Sequence, residues 1–157
     1  MPDNGNIIRA VEKYGDMLYR ICIVMLQNSS DAEDAVQETF LSYFRSSPDI
    51  ADREHEKAWL IKTVTNKCRD TLRYRKRHPA ESEDKLWFYT RDDEDSHILE
   101  ALSMVPDKFR IVLTLHYVEE YKVNEISEMI GKSPSAVKMR LQKGRKLLEN
   151  IYRKEFL

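Results

Sequence analysis

VNEISEMIGKSPSAVKMRLQKGRKLL (Val123–Leu148) is the stretch from which the fold of this chain reads outward. Val123, Ile126, Met129 and Ile130 recur at three and four, the period of a short amphipathic helix. Gly131 follows as a residue that adopts left-handed backbone without steric cost and so ends the helix. Ser133 can accept a backbone N–H at the start of the next helix, and Pro134 suits its first turn, where no N–H is needed. That second helix turns Val137, Leu141, Gly144 and Leu148 to one side. Ser135, Lys138, Met139, Gln142 and Lys143 fall on the other, with Arg140, Arg145 and Lys146 on the flanks. The pattern is a helix-turn-helix. Side chains at i, i+3, i+4 and i+7 of its second helix can reach neighbouring base edges from one major groove, while flanking cations hold phosphates. The same geometry occurs in bundles that touch no DNA, so the charged outer face is what favours DNA here.

The remainder of the chain is also helical in pattern. Gly and Pro are scarce, with 4 and 5 of 157 residues, and no alternating Val/Ile/Thr run is long enough for a strand. A charged fraction of 34% leaves only modest cores, which suits two small domains better than one large one. Ile7, Ile8, Val11, Tyr14, Leu18, Ile21 and Met25 predict a first amphipathic helix. A second is predicted from Ser30, which with Glu33 forms a capping-box pattern, through the stripe Ala35, Val36, Thr39, Phe40, Tyr43 and Phe44. Pro48 ends it by disfavouring helix at Ser47. A third, roughly Glu54 to Lys76, carries Ala58, Trp59, Ile61, Val64, Thr65, Cys68 and Leu72 inward. Ile98, Leu99, Leu102 and Met104, then Phe109, Val112, Leu113, Leu115 and Tyr117, predict two short helices broken at Pro106. The expected fold is therefore all-α. Residues 1–79 form an N-terminal domain of three or four helices, 80–96 an acidic linker, and 97–157 a C-terminal four-helix domain that contains the helix-turn-helix.

A net charge of −1 conceals strong segregation. Lys57, Lys62, Lys67, Arg69, Arg73, Arg75, Lys76 and Arg77 crowd the third helix, and a second basic cluster lies in the terminal helix. Between them Glu81, Glu83, Asp84, Asp92, Asp93, Glu94 and Asp95 surround the aromatic patch Leu86-Trp87-Phe88-Tyr89. Two basic surfaces joined by an acidic strap suit two contacts on one polyanion; the competing reading is of solvated helix faces. The aromatic patch is read as joining the two domains in the free protein, since exposed aromatics tend to find cover. Cys22 and Cys68 lack metal-ligand spacing and read as reduced structural thiols. There is no signal-peptide pattern and no apolar run near the roughly 20 residues that span a bilayer, so the expected location is the cytoplasm.

Lys62, Asn66, Arg69, Asp70 and Arg73 lie along one polar strip of the third helix. An Asn amide can pair with a base edge while the cations hold the backbone. Trp59 reads either as a stacking platform for an unpaired base or as a core aromatic, and its apolar neighbours favour the core. On the second helix Asp31, Asp34, Gln37 and Glu38, with Glu33, make an acidic face. No His accompanies these acids and no nucleophile is at hand, so a docking face for a basic protein surface is favoured over a metal-dependent active site.

Asp31-Ala-Glu-Asp-Ala-Val-Gln-Glu-Thr-Phe40, then Ala58-Trp59-Leu60 with Asn66, Asp70 and Arg73, then the terminal helix-turn-helix, together resemble the extracytoplasmic-function sigma factors of bacteria. The resemblance spans nearly the whole chain. It implies a protein that catalyses nothing itself, needs no cofactor or metal, and gives core RNA polymerase its promoter specificity. By that resemblance Asp31, Asp34, Gln37 and Glu38 dock on the clamp helices of the largest polymerase subunits. Trp59, Lys62, Asn66, Arg69, Asp70 and Arg73 line the surface that recognises and melts the minus-ten element, and the loop from Ser47 to Arg53 holds a flipped base. Ser135, Lys138, Met139, Arg140, Gln142 and Lys143 read the minus-thirty-five element, and their domain sits on the polymerase flap. An anti-sigma factor is the partner the resemblance implies for control. Lys138, Met139 and Gln142 depart from the commoner pattern, so the promoter sequence does not carry over. The competing function is a free-standing regulator that binds duplex DNA without polymerase.

Overall fold

The computed structural model describes residues 4–79 and 94–157, with side chains from 5 and 97 onward; the Leu86–Tyr89 patch lies outside the described residues. Every regular element among them is a helix, in two compact units, Met1–Glu83 and Asp84–Leu157.

The N-terminal unit packs three long helices, α1 (Asn4–Leu26), α2 (Ser29–Ser46) and α3 (Arg53–Arg77), each against the other two. Ala10, Tyr14, Met17, Leu18, Ile21, Cys22 and Met25 of α1 are buried. They meet Ala32, Ala35, Thr39, Phe40 and Tyr43 of α2, and Leu60, Ile61, Val64, Thr65 and Cys68 of α3. Ile8 and Val11 were expected in the first stripe but are 58% and 43% exposed, because the buried arc is centred on Ala10, Tyr14, Met17 and Ile21 and leaves them at its margin. The start of α2 also differs from the Ser30 capping box. Gln27 takes left-handed backbone (φ 55) and closes α1 at once, so the next residue, Asn28, is the extended one, and its Oδ1 accepts the Asp31 N–H at 2.8 Å. α2 ends at Ser47, where Pro48 disfavours right-handed helix and the backbone turns left-handed (φ 45), and Asp52 caps α3 by accepting the His55 N–H.

The C-terminal unit comprises α4 (Glu94–Ser103), α5 (Asp107–Leu113), a π turn over Thr114–Val118, α6 (Val123–Ile130) and α7 (Pro134–Phe156). Buried Arg110 closes the corner between α4 and α5, donating to Ser103 O, Val105 O and Asp107 Oδ1. Ile98, Met104 and Tyr117, expected to face inward, are 43%, 46% and 50% exposed. For Tyr117 the cause is the π turn, whose wider step rotates the side chain off the helical register.

Gly131 (φ 69) ends α6, and Ser133 Oγ accepts the Ala136 N–H at 3.1 Å to start α7 with Pro134 in its first turn. α7 then crosses α5 so closely that a Cβ on Gly144 would lie 3.0 Å from Leu113 Cδ1 and 3.3 Å from Phe109 Cβ. Gly144→Val is therefore expected to overpack this crossing and lower stability by about 1–3 kcal/mol. Urea unfolding of the full chain measures it, and an unchanged midpoint would contradict the close approach.

Candidate nucleic-acid interface

On α3 the exposed residues Lys62, Asn66, Asp70 and Arg73 recur at four, four and three, so they form one strip about 16 Å long at 1.5 Å per residue. Arg69 flanks it and is half-buried. Arg73 Nη1 donates to Asp70 Oδ1 at 2.9 Å, so two of the expected minus-ten residues orient each other. Trp59 is half-buried with its ring tilted 56° against that of Tyr43, centroids 5.5 Å apart, an arrangement that packs one ring edge inward and leaves part of the indole at the surface. Arg75, expected in the basic run, instead donates to Asp31 and to Leu26 O, both at 2.6 Å.

The acidic face of α2 is also laid out as expected, with Asp34, Gln37 and Glu38 exposed in one stripe. Asp31 stands at its edge, held by Arg75, and Glu38 Oε2 lies 3.8 Å from Lys67 Nζ. Sequence reasoning missed Leu41. It is 47% exposed at i+7 from Asp34 and adds an apolar contact to the stripe; a leucine on a polar helical face was the available signal.

Also missed was Glu56, whose side chain is only 2% exposed. Arg9 Nη2 donates to its Oε2 at 2.7 Å, the Tyr43 hydroxyl donates to the same oxygen, and Arg53 Nη1 lies 3.6 Å from Oε1. Burial alone would raise the Glu56 carboxyl, but the hydrogen bonds from Arg9 and Tyr43 and the charges of Arg9 and Arg53 outweigh it and hold the group below the usual carboxylate range. Burial, then the bond to Glu56, pushes the Tyr43 phenol up to about 12. The signal was present: Glu56 heads the ridge Glu56, Leu60, Val64, Cys68 at i+4 spacing, and an acid at a core position needs a buried partner. These groups line a cavity of about 400 Å³ bounded by the loop Ile50–Arg53, Asn6, Arg9, Tyr43 and Glu56, within the usual 300–1,000 Å³ of a small-molecule site.

In the C-terminal unit Ser135, Lys138, Met139, Gln142 and Lys143 are all exposed along α7, and Arg140 is half-buried beside them. Arg145 is turned sideways to donate to the Tyr117 hydroxyl at 2.6 Å. Among the described residues no group of three His, Cys, Asp or Glu side chains is placed to hold a metal ion, and no helix is long and apolar enough to cross a membrane.

Family models for sigma-70 region 2 and sigma-70 region 4 match residues 10–78 and 97–148. The sigma factor CarQ of Myxococcus xanthus is 32% identical over 136 residues, covering 81% of this chain and 78% of that protein. The chain belongs to the extracytoplasmic-function sigma factors. This sigma factor is also 26% identical to SigV of Bacillus subtilis, over 96% of its own length and 93% of that relative. Two solved structures share the fold. The sigma factor RpoE bound to the anti-sigma factor NepR, from Bartonella quintana, matches with a TM-score of 0.78 at 17% identity, covering 94% of this chain and 97% of that one. CnrH bound to the cytosolic domain of CnrY matches with a TM-score of 0.72 at 20% identity, covering 98% and 91%. The family is one of promoter-recognising transcription initiation factors rather than enzymes.

Because its pKa is lowered by folding, Glu56 contributes stability that is fully present above its unfolded value of about 4.3 and is lost as pH falls through the lower folded value. Glu56→Gln is expected to lower stability at pH 7 by about 2 kcal/mol, discounted because Arg9 is partly exposed. The difference in melting temperature from wild type should close as pH falls below about 4.3. A difference that persists unchanged in acid would contradict this account.

Proposed function

We propose that residues 1–79 of this sigma factor dock on core RNA polymerase and open the minus-ten element, and that residues 97–157 read the minus-thirty-five element, with 80–96 linking them. The carrying observation is that α2 and α3, packed into one three-helix core, present an acidic stripe and a basic, Asn-containing strip on separate outer faces. One core thus holds a protein-binding face and a nucleic-acid face in fixed register. Asp34, Gln37, Glu38 and Leu41 meet the clamp helices, while Asp31, at the edge of that stripe, is engaged by Arg75. Lys62, Asn66, Arg69, Asp70 and Arg73 meet the non-template strand, beside the exposed part of Trp59. The cavity behind Ile50–Arg53 supports the expectation that this loop holds a flipped base, since a flipped base needs a walled site with polar groups.

On α7, Ser135, Lys138, Met139, Gln142 and Lys143 face base edges in the major groove, with Arg140 on the flank toward phosphate. Gln142 is suited to adenine, and Met139 offers only apolar contact, which fits a thymine methyl. The same unit has an apolar groove of about 530 Å³ lined by Ile98, Tyr117, Leu148, Tyr152 and Leu157. We assign it to the polymerase flap; an anti-sigma partner covering it would compete with polymerase. The protein acts in the cytoplasm, where polymerase is, and performs no catalysis of its own.

Run-off transcription on genomic fragments with core polymerase, with and without this protein, tests the assignment. New starts sharing two spaced upstream motifs are expected, and Asp34→Arg or Gln37→Ala should abolish them. Specific duplex binding by the protein alone, without polymerase-dependent starts, would favour the free-standing regulator. Gln142→Ala should cost about 1–3 kcal/mol at one base of the upstream motif, read by competition between single-base promoter variants. Arg140→Ala should weaken all promoters alike and reduce the slope of log K against log salt by about 0.9.

A further inference from the structure

Arg75 lies near the end of α3, in a basic run whose sequence suggests phosphate binding, yet its guanidinium turns into its own domain. Nη1 donates to the carbonyl of Leu26, the last residue of α1, and Nη2 donates to Asp31 Oδ2 in the first turn of α2. The Arg75 side chain is 21% exposed and that of Asp31 39%. One planar fork thus joins three helices. It satisfies a carbonyl that the end of α1 leaves without an intrahelical partner, and it pairs an acid that the peptide dipoles of α2 already favour at that position. A lysine, with a point charge and no fixed fork, could not satisfy both at this geometry. Two turns along α2, Lys67 of α3 approaches Glu38 at 3.8 Å, so the two functional helices are tied at a second, more exposed point.

Resting on the assignment of the two faces above, we propose that Asp31 and Arg75 are a positioning pair. Asp31 does not meet polymerase itself. Through Arg75 it fixes the docking stripe Asp34, Gln37, Glu38 and Leu41 in register with the promoter strip of α3, so that docking delivers the strip to the DNA. Asp31 thereby changes from a contact residue to one that acts through another, and Arg75 is withdrawn from the phosphate contacts.

A double-mutant cycle in the holoenzyme tests this, using Asp31→Ala, Arg75→Ala and both together in the full chain. Promoter opening is read by permanganate reactivity of unpaired thymines at saturating core polymerase. Core affinity and the salt dependence of promoter binding are measured in parallel, at a temperature where circular dichroism shows every variant folded. Each single change is expected to reduce opening about tenfold, and the double change by no more than Arg75→Ala alone, because the residues work as one unit. Core affinity and salt slope should stay at wild-type values. Should the alanine variants unfold, Asp31→Asn and Arg75→Lys give the same cycle, with opening again reduced and again non-additive.

Three results would overturn the proposal: multiplicative losses, a salt slope reduced by about 0.9 in Arg75→Ala as for a phosphate contact, or opening unchanged while only the melting temperature falls. Asp34→Arg and Asn66→Ala are the controls for the underlying assignment. If they leave docking and opening intact, the two faces are wrongly assigned and the proposal falls with them. If they fail as expected while the cycle is multiplicative, the proposal alone falls.

Discussion

The carboxylate of Glu56 is the point on which the N-terminal unit depends. It projects from the first turn of α3 into the core and is met there by Arg9 from α1 and by the Tyr43 hydroxyl from α2, so one side chain is bonded to all the helices of its domain. An ionised acid in this position would be prohibitively costly without those donors. With them, it fixes how the helices can be arranged, because shifting any one helix would strand a buried charge. The functional consequence is indirect. The outer faces of α2 and α3 carry the residues assigned to polymerase and to promoter, and their mutual angle is inherited from the inner faces that Glu56 and Arg75 hold.

The C-terminal unit reaches the same end by shape. Gly144 lets α7 lie against Leu113 and Phe109, Val137 and Leu141 fill the core beside it, and Arg110 collects the carbonyls at the α4–α5 corner. Anchored along its inner side, α7 presents Ser135, Lys138, Met139 and Gln142, the residues assigned above to the minus-thirty-five element, from a rigid element. That rigidity matters for base readout, which requires several side chains to be in place together.

What could be read from sequence and what could not divide along a physical line. The turn between α6 and α7 was legible because each determinant is local: a residue for left-handed backbone at Gly131, a cap at Ser133 and a first-turn proline at Pro134. The faces of α2, α3 and α7 were legible because periodicity sorts exposed from buried residues. Contacts between helices distant in sequence were not. Nothing local says that Arg75 reaches Leu26 and Asp31, or that Cys22 and Cys68 meet in the core with sulfurs 3.5 Å apart, where their mutual hydrogen bond and burial push the Cys22 thiol up and leave it inert. The cap of α2 moved from Ser30 to Asn28 for a reason one residue upstream, the left-handed turn at Gln27, which composition does not announce.

Site-specific photo-crosslinking in the assembled holoenzyme–promoter complex tests the separation of faces most directly, with the crosslinker placed in turn at Gln37, Asn66 and Gln142. Position 37 is expected to capture the largest polymerase subunits, position 66 the non-template strand at the minus-ten element, and position 142 the duplex at the minus-thirty-five element. Capture of DNA from position 37, or of polymerase alone from position 66, would contradict the assignment of one protein-binding face and one nucleic-acid face to the same three-helix core.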